Sequence, residues 1–313
     1  MMGIKLRSVG IIGVGHVGAH CAYSLAVQGI VDELILVDIN KQKIISEQQD
    51  LVDSVAHFPH RVTIKTGEYS DLANCDIVVI SAGGITQDQN RLSELKQNVA
   101  VVNSFVEEVV SAGFNGIFIV ISNPCDIITR QVQKLSGFDS HRVIGTGTCL
   151  DSARLRAVIA RETGIDHKSV IGYTMGEHGD SQMIPWSHIT INGKPILELA
   201  QHDSRFALDH EAVLQEVVKA GWKTFMGKGA TEYGIASALA RLVHCIFHDE
   251  KQVIPVSTQL TGQYGQTDLY TSVPAIIGKS GVEGIVELNL TDDEMKAFNH
   301  SCEVLQKHIE TIS

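Results

Sequence analysis

Short segments rich in β-branched residues alternate with helical segments through the first half of this chain, and this alternation restricts the fold more than any other feature. Segments of this kind predict strands over residues 9–12, 33–38, 62–65, 76–81, 117–122 and 142–145. Between them, apolar residues recur at the helical period over 19–28, 41–55 and 93–112. Strands that alternate with helices are typical of βαβ units. The sequence therefore predicts an α/β fold with a doubly wound parallel sheet.

The pattern changes after about residue 146, where strands come in groups instead of alternating with helices. We predict a helix over 151–163, a β-rich stretch as far as 191, long helices between 204 and 247, more strands as far as about 277, and a closing helix from 291. Grouped strands and helices indicate a mixed α+β lobe. We therefore divide the chain into a first domain over 1–145 and a second over 146–313, packed together because no Pro, Gly and Ser-rich linker separates them.

Composition and charge exclude several kinds of partner. The 313 residues carry a formal net charge of −11, which leaves no basic surface for a nucleic acid or an anionic membrane. No stretch approaches the ~18 consecutive apolar residues of a membrane span. The six cysteines form no C-x-x-C pair, so we expect reduced thiols, no metal site and a cytoplasmic protein.

A glycine motif, GVGHVG, follows the first predicted strand and opens a helix, with Gly13, Gly15 and Gly18 at its fixed positions. Gly13 permits a tight turn, Gly15 lets the backbone approach a pyrophosphate, and Gly18 lets helix and strand pack closely. Asp38 ends the second strand, where a carboxylate binds the ribose hydroxyls of NAD and repels the 2′-phosphate of NADP. The first domain is therefore predicted to be a Rossmann domain that binds NAD.

His178 is the candidate acid/base, and it lies in the segment MGEHGDSQ between Gly176 and Asp180. A histidine that exchanges a proton near neutral pH needs a partner that fixes its tautomer and stabilises the imidazolium. Asp151, at the start of a predicted helix near the domain boundary, is the candidate partner. Arg154 follows one helical turn later, and its planar guanidinium can bind a carboxylate through two hydrogen bonds. The alternative is that Asp151 and Arg154 form an ordinary surface pair.

Two polar connections at the ends of predicted strands are further candidates. AGGITQDQNRLSEL, over 82–95, joins a strand to a long helix where doubly wound folds place active-site loops, and Arg91 is its only basic residue. ISNPCD, over 121–126, ends the next strand, so Asn123 can face the same crevice.

Together these motifs resemble those of a known family. GVGHVG, SAGG, NRLSEL, ISNP, GTGTCLDSARLR, GEHGD, GKGAT and GQYG, in this order, are similar to the motifs of the lactate/malate dehydrogenase family, in particular its bacterial L-lactate dehydrogenases. The resemblance covers essentially the whole chain, and LDSAR followed by GEHGD is its most specific part. The L-2-hydroxyisocaproate dehydrogenases share much of the pattern and remain an alternative.

The resemblance implies an enzyme that interconverts a 2-oxo acid and an L-2-hydroxy acid, pyruvate and L-lactate first, with NAD as cofactor. It makes His178 the acid/base, Asp151 its orienting carboxylate and Arg154 the residue that binds the substrate carboxylate. It also makes Arg91, on a mobile lid, the residue that polarises the substrate carbonyl. A homotetramer or homodimer is the assembly that the resemblance implies.

Residues around the substrate and the cofactor are implied in the same way. Asn123 hydrogen-bonds the substrate or the nicotinamide side, and Thr231 in GKGAT lines the pocket. The other implied cofactor contacts are Val17, Lys43, Tyr69, Gly83, Gly84, Ser104, Ser122 and Thr146.

The lid segment departs from the family pattern. It is one residue shorter than usual, so either Thr86 or Gln87 can occupy the position that selects the substrate. Malate dehydrogenases carry a further arginine in this segment, whereas residues 85–90 contain none and include Asp88, which disfavours malate.

A second departure concerns an effector site. Bacterial enzymes activated by fructose 1,6-bisphosphate pair a basic residue, matched here by Arg156, with a histidine seven positions before the catalytic one, where this chain has Ile171. Half of an anion site remains, and Arg156 could equally be an ordinary surface charge. Three other functions stay open: a malate dehydrogenase, a non-enzymatic NAD-binding protein, and a dinucleotide-dependent glycosidase, whose metal-binding Cys/His pattern is not evident.

Overall fold

A computed structural model of the protein describes residues 5–84 and 91–312, and for residues 91–93 it describes the backbone alone. The strands of the first half are β1 (Ser8–Ile12), β2 (Glu33–Val37), β3 (Thr63–Thr66), β4 (Ile77–Ile80), β5 (Ile117–Val120) and β6 (Val143–Gly145). They pair in parallel in the spatial order β3-β2-β1-β4-β5-β6. The predicted doubly wound parallel sheet is confirmed.

The middle strands of this sheet are buried on both faces. Every residue of β1, β4 and β5 is buried, Val and Ile dominate their sequences, and β4 and β5 are apolar throughout. Such continuous apolar runs are typical of parallel strands that helices cover on both sides. This explains why the strands could be predicted from β-branched composition although they show no alternation of apolar and polar residues.

Helices on the two faces of the sheet contribute to separate apolar cores. They are α1 (His16–Val27), α2 (Lys41–Val55), α3 (Arg91–Asn103), α4 (Val106–Ser111) and α5 (Cys125–Ser136). Helices α1 and α2 pack into the core on one face, whereas α4 and α5 pack into the core on the other.

The single helix predicted over 93–112 is wrong, because α3 and α4 are separate helices. Phe105 leaves the helical backbone with φ −138°. Its buried ring stacks on Tyr69, with the ring centroids 5.6 Å apart. The break in the helix therefore accompanies the burial of an aromatic side chain in the core.

Helix α5 was not predicted. It begins directly after Pro124, without a side-chain cap that would mark its start. It buries Ile128 and Val132 against the sheet and ends at Gly137, whose φ of 65° suits glycine. The apolar residues at helical spacing, Ile128, Val132 and Leu135, and the glycine at the end were the available sequence signals for this helix.

The second half contains the remaining elements. The helices are α6 (Cys149–Thr163), α7 (Ile196–Leu199), α8 (His210–Lys228), α9 (Tyr233–Phe247) and α10 (Asp292–Glu310). The strands are β7 (Val170–Ile171), β8 (Thr190–Ile191), β9 (Lys194–Pro195), β10 (Gln252–Thr261), β11 (Thr267–Gly278) and β12 (Gly281–Ile285). None of the helices in the described parts of the chain has the length and apolar character that a membrane crossing requires.

Strands from the second half extend the sheet of the first half. Strands β10, β11 and β12 pair in antiparallel fashion, and β10 meets β6 at the pair Ser257 and Gly145, which gives a nine-stranded sheet. A Cβ atom at Gly145 would lie 2.4 Å from Thr129 Oγ1, so this junction requires glycine. The division into domains at residue 145 remains a prediction, and one sheet runs across it.

The carboxyl ends of the parallel strands carry most of the predicted site residues. The glycine motif follows β1, Asp38 follows β2, Gly83 follows β4, Asn123 follows β5 and Thr146 follows β6. In doubly wound folds this edge of the sheet forms the binding crevice. The fold therefore gathers side chains that are far apart in sequence at one edge.

Candidate active site

A hydrogen-bonded chain of three side chains joins Arg154, Asp151 and His178. Arg154 Nη1 donates to Asp151 Oδ1 at 2.7 Å, and Asp151 Oδ2 lies 2.6 Å from His178 Nδ1. Asp151 is 1% exposed, whereas the His178 side chain is 26% exposed. Asp151 therefore holds Nδ1 and leaves Nε2 as the nitrogen that can exchange a proton with a bound molecule. A surface pair of Asp151 and Arg154 is excluded by the burial of the carboxylate.

The backbone of His178 is fixed from a different direction. Its N–H donates to Asp126 Oδ2 at 2.8 Å, and Asp126 is a buried residue in the first turn of α5. The preceding N–H, of Glu177, donates to Ser301 Oγ of α10 at 2.7 Å. A Cβ atom at Gly176, where φ is 93°, would lie 2.4 Å from the same Ser301 oxygen. The loop that carries His178 is thus held between α5 and α10.

Neighbouring charges shift the pKa values of both His178 and Asp151. Burial disfavours the imidazolium, but the charge and hydrogen bond of Asp151, together with the charge of Asp126, raise the pKa of His178 above its usual value. Burial also opposes ionisation of Asp151, but His178 and Arg154 hold its pKa below the usual value. Asp151 is therefore ionised near neutral pH, and His178 is able to hold a proton there.

The glycine motif forms the turn that a dinucleotide requires. Gly13 has φ 89°, and its N–H donates to the carbonyl of Val37 at 2.9 Å. A Cβ atom at Gly18 would lie 2.0 Å from the Gly13 carbonyl oxygen, so helix α1 and the turn are in close contact. Around the Cβ position of Gly15, by contrast, no described atom lies within 4 Å. The open space at the N-terminus of α1 fits a pyrophosphate.

Asp38 lies beside this turn. Its Oδ2 accepts the N–H of Val14 at 2.7 Å, and its Oδ1 accepts the N–H of Asn40 at 2.8 Å. Tyr69 is near enough that the charge of Asp38 is among the causes, after burial and Glu108, that raise the pKa of the Tyr69 hydroxyl. Asp38 and Tyr69, both predicted cofactor contacts, are therefore neighbours.

The remaining predicted cofactor residues fall into two groups. Ser122 donates to the carbonyl of Ala82 at 2.5 Å, so the segments after β4 and β5, with Gly83 and Gly84, lie together, and Thr146 is buried after β6. Val17 lies in α1 and packs against the core. Outside this edge, Ser104 directly follows α3 and donates to the carbonyl of Val101, and Lys43, in the first turn of α2, pairs with Glu47 at 3.5 Å.

Asn98 is a residue of the site that sequence reasoning missed. It is 2% exposed, accepts the N–H of Gly84 at 3.0 Å through Oδ1, and donates to the carbonyl of Asn123 at 2.7 Å. Helix α3 therefore ties the start of the predicted lid segment to the exposed Asn123. Asn98 acts through contacts with backbone groups 14 and 25 residues away in sequence, and no sequence motif indicates these contacts.

Thr231 lies in the short junction between α8 and α9 and is half-buried. The next residue, Glu232, pairs with Lys228, and its Oε1 lies 3.2 Å from Nδ1 of His16 in the glycine motif. The Thr231 junction is thus connected to the turn after β1. Neither Glu232 nor His16 was predicted from the sequence.

Several predictions fall on residues that the structure does not describe. Thr86 and Gln87 lie within 85–90, and the side chain of Arg91 at the start of α3 also lies outside the described residues.

At the predicted effector position, Arg156 is half-buried in α6, and Ile171 is 48% exposed. Within residues 5–84 and 91–312, no group of three His, Cys, Asp or Glu side chains is arranged to hold a metal ion.

Comparisons with known proteins match both halves of the chain to one family. Residues 7–145 match the lactate/malate dehydrogenase NAD binding domain, and residues 148–313 match the lactate/malate dehydrogenase alpha/beta C-terminal domain. An L-lactate dehydrogenase of Fusobacterium nucleatum subsp. nucleatum is 46% identical over 309 residues, which cover 98% of this chain and 97% of that protein.

Solved structures agree with this result. A lactate dehydrogenase from a Medee basin deep-sea metagenome library superposes with a TM-score of 0.95 at 36% identity, covering 99% of both chains. The minor L-lactate dehydrogenase of Enterococcus mundtii, in its ligands-bound form, superposes with a TM-score of 0.94 at 38% identity, covering 98% of both chains.

Proposed function

Since this chain belongs to the lactate/malate dehydrogenase family, we propose that it interconverts pyruvate and L-lactate with NAD as cofactor. The observation that carries the proposal is the chain of Arg154, Asp151 and His178, in which a buried carboxylate holds an accessible imidazole. A binding protein without catalysis has no need of a histidine whose tautomer is fixed in this way.

His178 is the acid in the direction of reduction. When bound, NAD would supply the hydride chemistry at the carbonyl carbon of the 2-oxo acid, in its reduced form for reduction and in its oxidised form for the reverse reaction. Protonated His178 gives its proton to the carbonyl oxygen, so that the hydroxyl of the product is complete. Asp151 stabilises the imidazolium before transfer and keeps Nδ1 protonated after it. In the reverse direction neutral His178 accepts the hydroxyl proton.

Arg154 and Arg91 bind and polarise the substrate. Arg154 uses Nη1 for Asp151, and its remaining N–H donors are available for the substrate carboxylate. Arg91 is assigned the carbonyl, where its charge stabilises the negative charge that develops on oxygen. Asn123 and Thr231 complete the pocket.

Most of the residues that would hold NAD lie along the carboxyl edge of the sheet. The turn at Gly13, Gly15 and Gly18 receives the pyrophosphate, and Asp38 receives the adenosine ribose. The other proposed contacts are Val17, Lys43, Tyr69, Gly83, Gly84, Ser104, Ser122, Asn123 and Thr146. The carboxylate of Asp38 repels a 2′-phosphate, which favours NAD over NADP.

The substrate is a 2-oxo acid with one carboxylate. Arg154 neutralises one carboxylate, and the segment ITQDQN over 85–90 supplies no cation for a second. A broader L-2-hydroxy acid dehydrogenase, of the L-2-hydroxyisocaproate type, is the second candidate because one methylene in an apolar pocket discriminates by only ~1–3 kcal/mol.

One assay tests these alternatives. Purified protein is incubated with NADH and, in separate reactions, pyruvate, 2-oxoisocaproate and oxaloacetate, and kcat/KM is measured for each. We expect pyruvate to give the highest value. A preference for 2-oxoisocaproate would make the enzyme a broader dehydrogenase, a preference for oxaloacetate would make it a malate dehydrogenase, and no oxidation of NADH with any of them would contradict the proposal.

The assembly we propose is a homotetramer or homodimer. Helices α1, α2, α8 and α9 expose large apolar side chains, which are Tyr23, Val27, Ile45, Val52, Trp222, Met226 and Tyr233. Exposed apolar side chains on neighbouring helices support a protein–protein interface. Light scattering on the purified protein tests this, and a monomer at micromolar concentration would contradict it.

The six free cysteines support an enzyme that works in the reducing cytoplasm. Five of them are buried and Cys149 is partly buried, and none of the six forms a disulfide in the described structure. Reduced thiols are typical of the cytosol. Fractionation of cells with an antibody against the protein tests this location.

A further inference from the structure

Asp126 is a buried carboxyl group to which the proposed reaction has so far given no part. It is 2% exposed and lies in the first turn of α5, three residues after Asn123. Its Oδ2 accepts the N–H of His178 at 2.8 Å. Its Oδ1 is buried and accepts no hydrogen bond of normal geometry within the described structure, although the Ser257 hydroxyl is close enough to favour the ionised form of the carboxyl group. A buried carboxyl group with one unpaired oxygen is costly, and this one directly contacts the residue assigned as acid/base.

We propose that Asp126 is a positioning residue for the proposed reaction, because its carboxylate both fixes the backbone of His178 and adds negative charge that favours the imidazolium. The inference rests on the proposed function, since it concerns the acid/base of that reaction. It assigns the site two carboxylates with different contacts: Asp151 on the imidazole ring and Asp126 on the backbone.

The charges around His178 explain why a second carboxylate has an effect. Arg154 compensates part of the charge of Asp151 through the hydrogen bond at 2.7 Å. Within the described residues no Lys or Arg pairs with Asp126, so its charge on His178 is not compensated in this way. The titratable and charged groups that face these two residues are Asp151 and Arg154 of α6, Glu177 of the same loop, Cys125 of α5 and Cys302 of α10.

The ionisation of Asp126 sets the pH range of its effect. Burial raises the pKa of its carboxyl group to about 6, while the Ser257 hydroxyl and, to a smaller extent, the His178 backbone N–H favour the ionised form. The first turn of a helix also favours a negative charge. Asp126 is therefore charged at pH 7 to 8 and neutral in acid, so its support of the imidazolium is present at the higher pH and is lost below about pH 6.

The substitution Asp126→Asn separates charge from geometry. The amide oxygen of Asn can still accept the His178 N–H, but the side chain carries no charge. We expect the pKa of His178 to fall by about one unit, at the low end of the shift that a carboxylate within ~4–6 Å produces. The same shift should move the alkaline limb of kcat/KM for pyruvate to lower pH, with rates below pH 6 almost unchanged.

The titration of His178 is measured by NMR on protein with isotopically labelled histidine, and the resonance is identified by its absence in His178→Asn. Asp292→Asn is the matched control, because Asp292 lies in the first turn of α10 but is exposed. The control should leave both the pKa of His178 and the pH profile unchanged. An unchanged pKa of His178 in a folded Asp126→Asn protein would overturn the proposal and leave Asp126 as a backbone acceptor alone.

Wild-type protein offers a second test that does not depend on folding of the variant. Its His178 resonance should show a second inflection near pH 6, as Asp126 becomes protonated, and the absence of this inflection would count against the proposal. Both titrations need no substrate. Failure of wild-type protein to reduce pyruvate would therefore contradict the proposed function separately from the role of Asp126.

Discussion

Asp38 accepts the backbone N–H of Val14 through Oδ2 at 2.7 Å, so the carboxylate at the end of β2 holds the glycine turn at the end of β1. Its other oxygen accepts the N–H of Asn40. Each carboxylate oxygen has a second lone pair, so these bonds leave room for ribose hydroxyls. One side chain thus shapes the glycine turn, and in the proposed function its charge also favours NAD over NADP.

Asp38→Asn should relax the preference for NAD over NADP. The amide can keep one of the two backbone contacts, but it no longer repels a 2′-phosphate. We expect the ratio of kcat/KM for NADPH to that for NADH to rise about tenfold, which corresponds to ~1.4 kcal/mol. Initial rates with pyruvate and each cofactor measure the ratio, and a ratio equal to that of the wild type would show that Asp38 serves the turn alone.

His178→Asn should abolish most of the catalysis without affecting cofactor binding. Asn has no group that can give a proton at neutral pH, so we expect kcat to fall by roughly 10²-fold or more. NADH affinity, measured by fluorescence titration, should remain that of the wild type because the glycine turn is untouched. Turnover near the wild-type rate would falsify the assignment of His178.

Asp126→Asn should change how stability depends on pH. The pKa of Asp126 is raised from an ordinary value near 3.9 in the unfolded chain to about 6 in the folded one. At this group the folded state therefore binds more protons between these values, and the contribution of Asp126 to wild-type stability falls as pH rises through this range. We expect the free energy of unfolding of Asp126→Asn, relative to wild type, to increase by up to ~3 kcal/mol between pH 4 and 7. Denaturant unfolding at several pH values checks this, and a difference that is constant with pH would contradict it.

An arginine in the lid segment should admit a second carboxylate. Thr86→Arg and Gln87→Arg each add a cation to ITQDQN, where the unmodified chain would leave the second carboxylate of oxaloacetate unpaired at a cost of several kcal/mol. We expect the better variant to raise oxaloacetate activity relative to pyruvate by at least about tenfold, and it identifies the residue that faces the substrate. If wild-type protein already prefers oxaloacetate, an arginine outside the segment reaches the pocket.

Fructose 1,6-bisphosphate should have little effect on this enzyme. Ile171 supplies no hydrogen-bond donor where activated relatives have a histidine, and Arg156 alone should bind the effector weakly and with strong dependence on salt. Pyruvate saturation curves with and without millimolar effector provide the measurement. A large drop in apparent KM would show that another residue completes the site.

Local sequence pattern was sufficient for the parallel strands, because buried strands such as Ile77–Ile80 are composed of residues that favour strands wherever they occur. It was insufficient for α3 and α4, since the break at Phe105 accompanies the stacking of its ring on Tyr69, which is distant in sequence. Local pattern also did not predict that β10 pairs with β6, because the residues of a strand do not determine which other strand it pairs with.

Prediction of the candidate site from local sequence was limited in the same way. His178, Asp151 and Arg154 could be predicted because their chemistry is marked by residue type and by motifs. Asp126 and Asn98 were missed, since both act on backbone groups: Asp126 on an N–H 52 residues away, and Asn98 on a carbonyl 25 residues away. Contacts of this kind exist only once the chain has folded.

Because the nine-stranded sheet includes strands from both halves, the first half of this enzyme should not be stable when it is separated from the second. A chain cut after residue 145 would leave one edge of β6 without the partner that Ser257 provides, and unpaired strand edges promote aggregation. It would also uncover the face of α1 on which Leu239 and Ala240 of α9 pack into the shared core. Chimeras that exchange halves between members of the family therefore need to carry β10 and α9 along with the parallel strands that they complete.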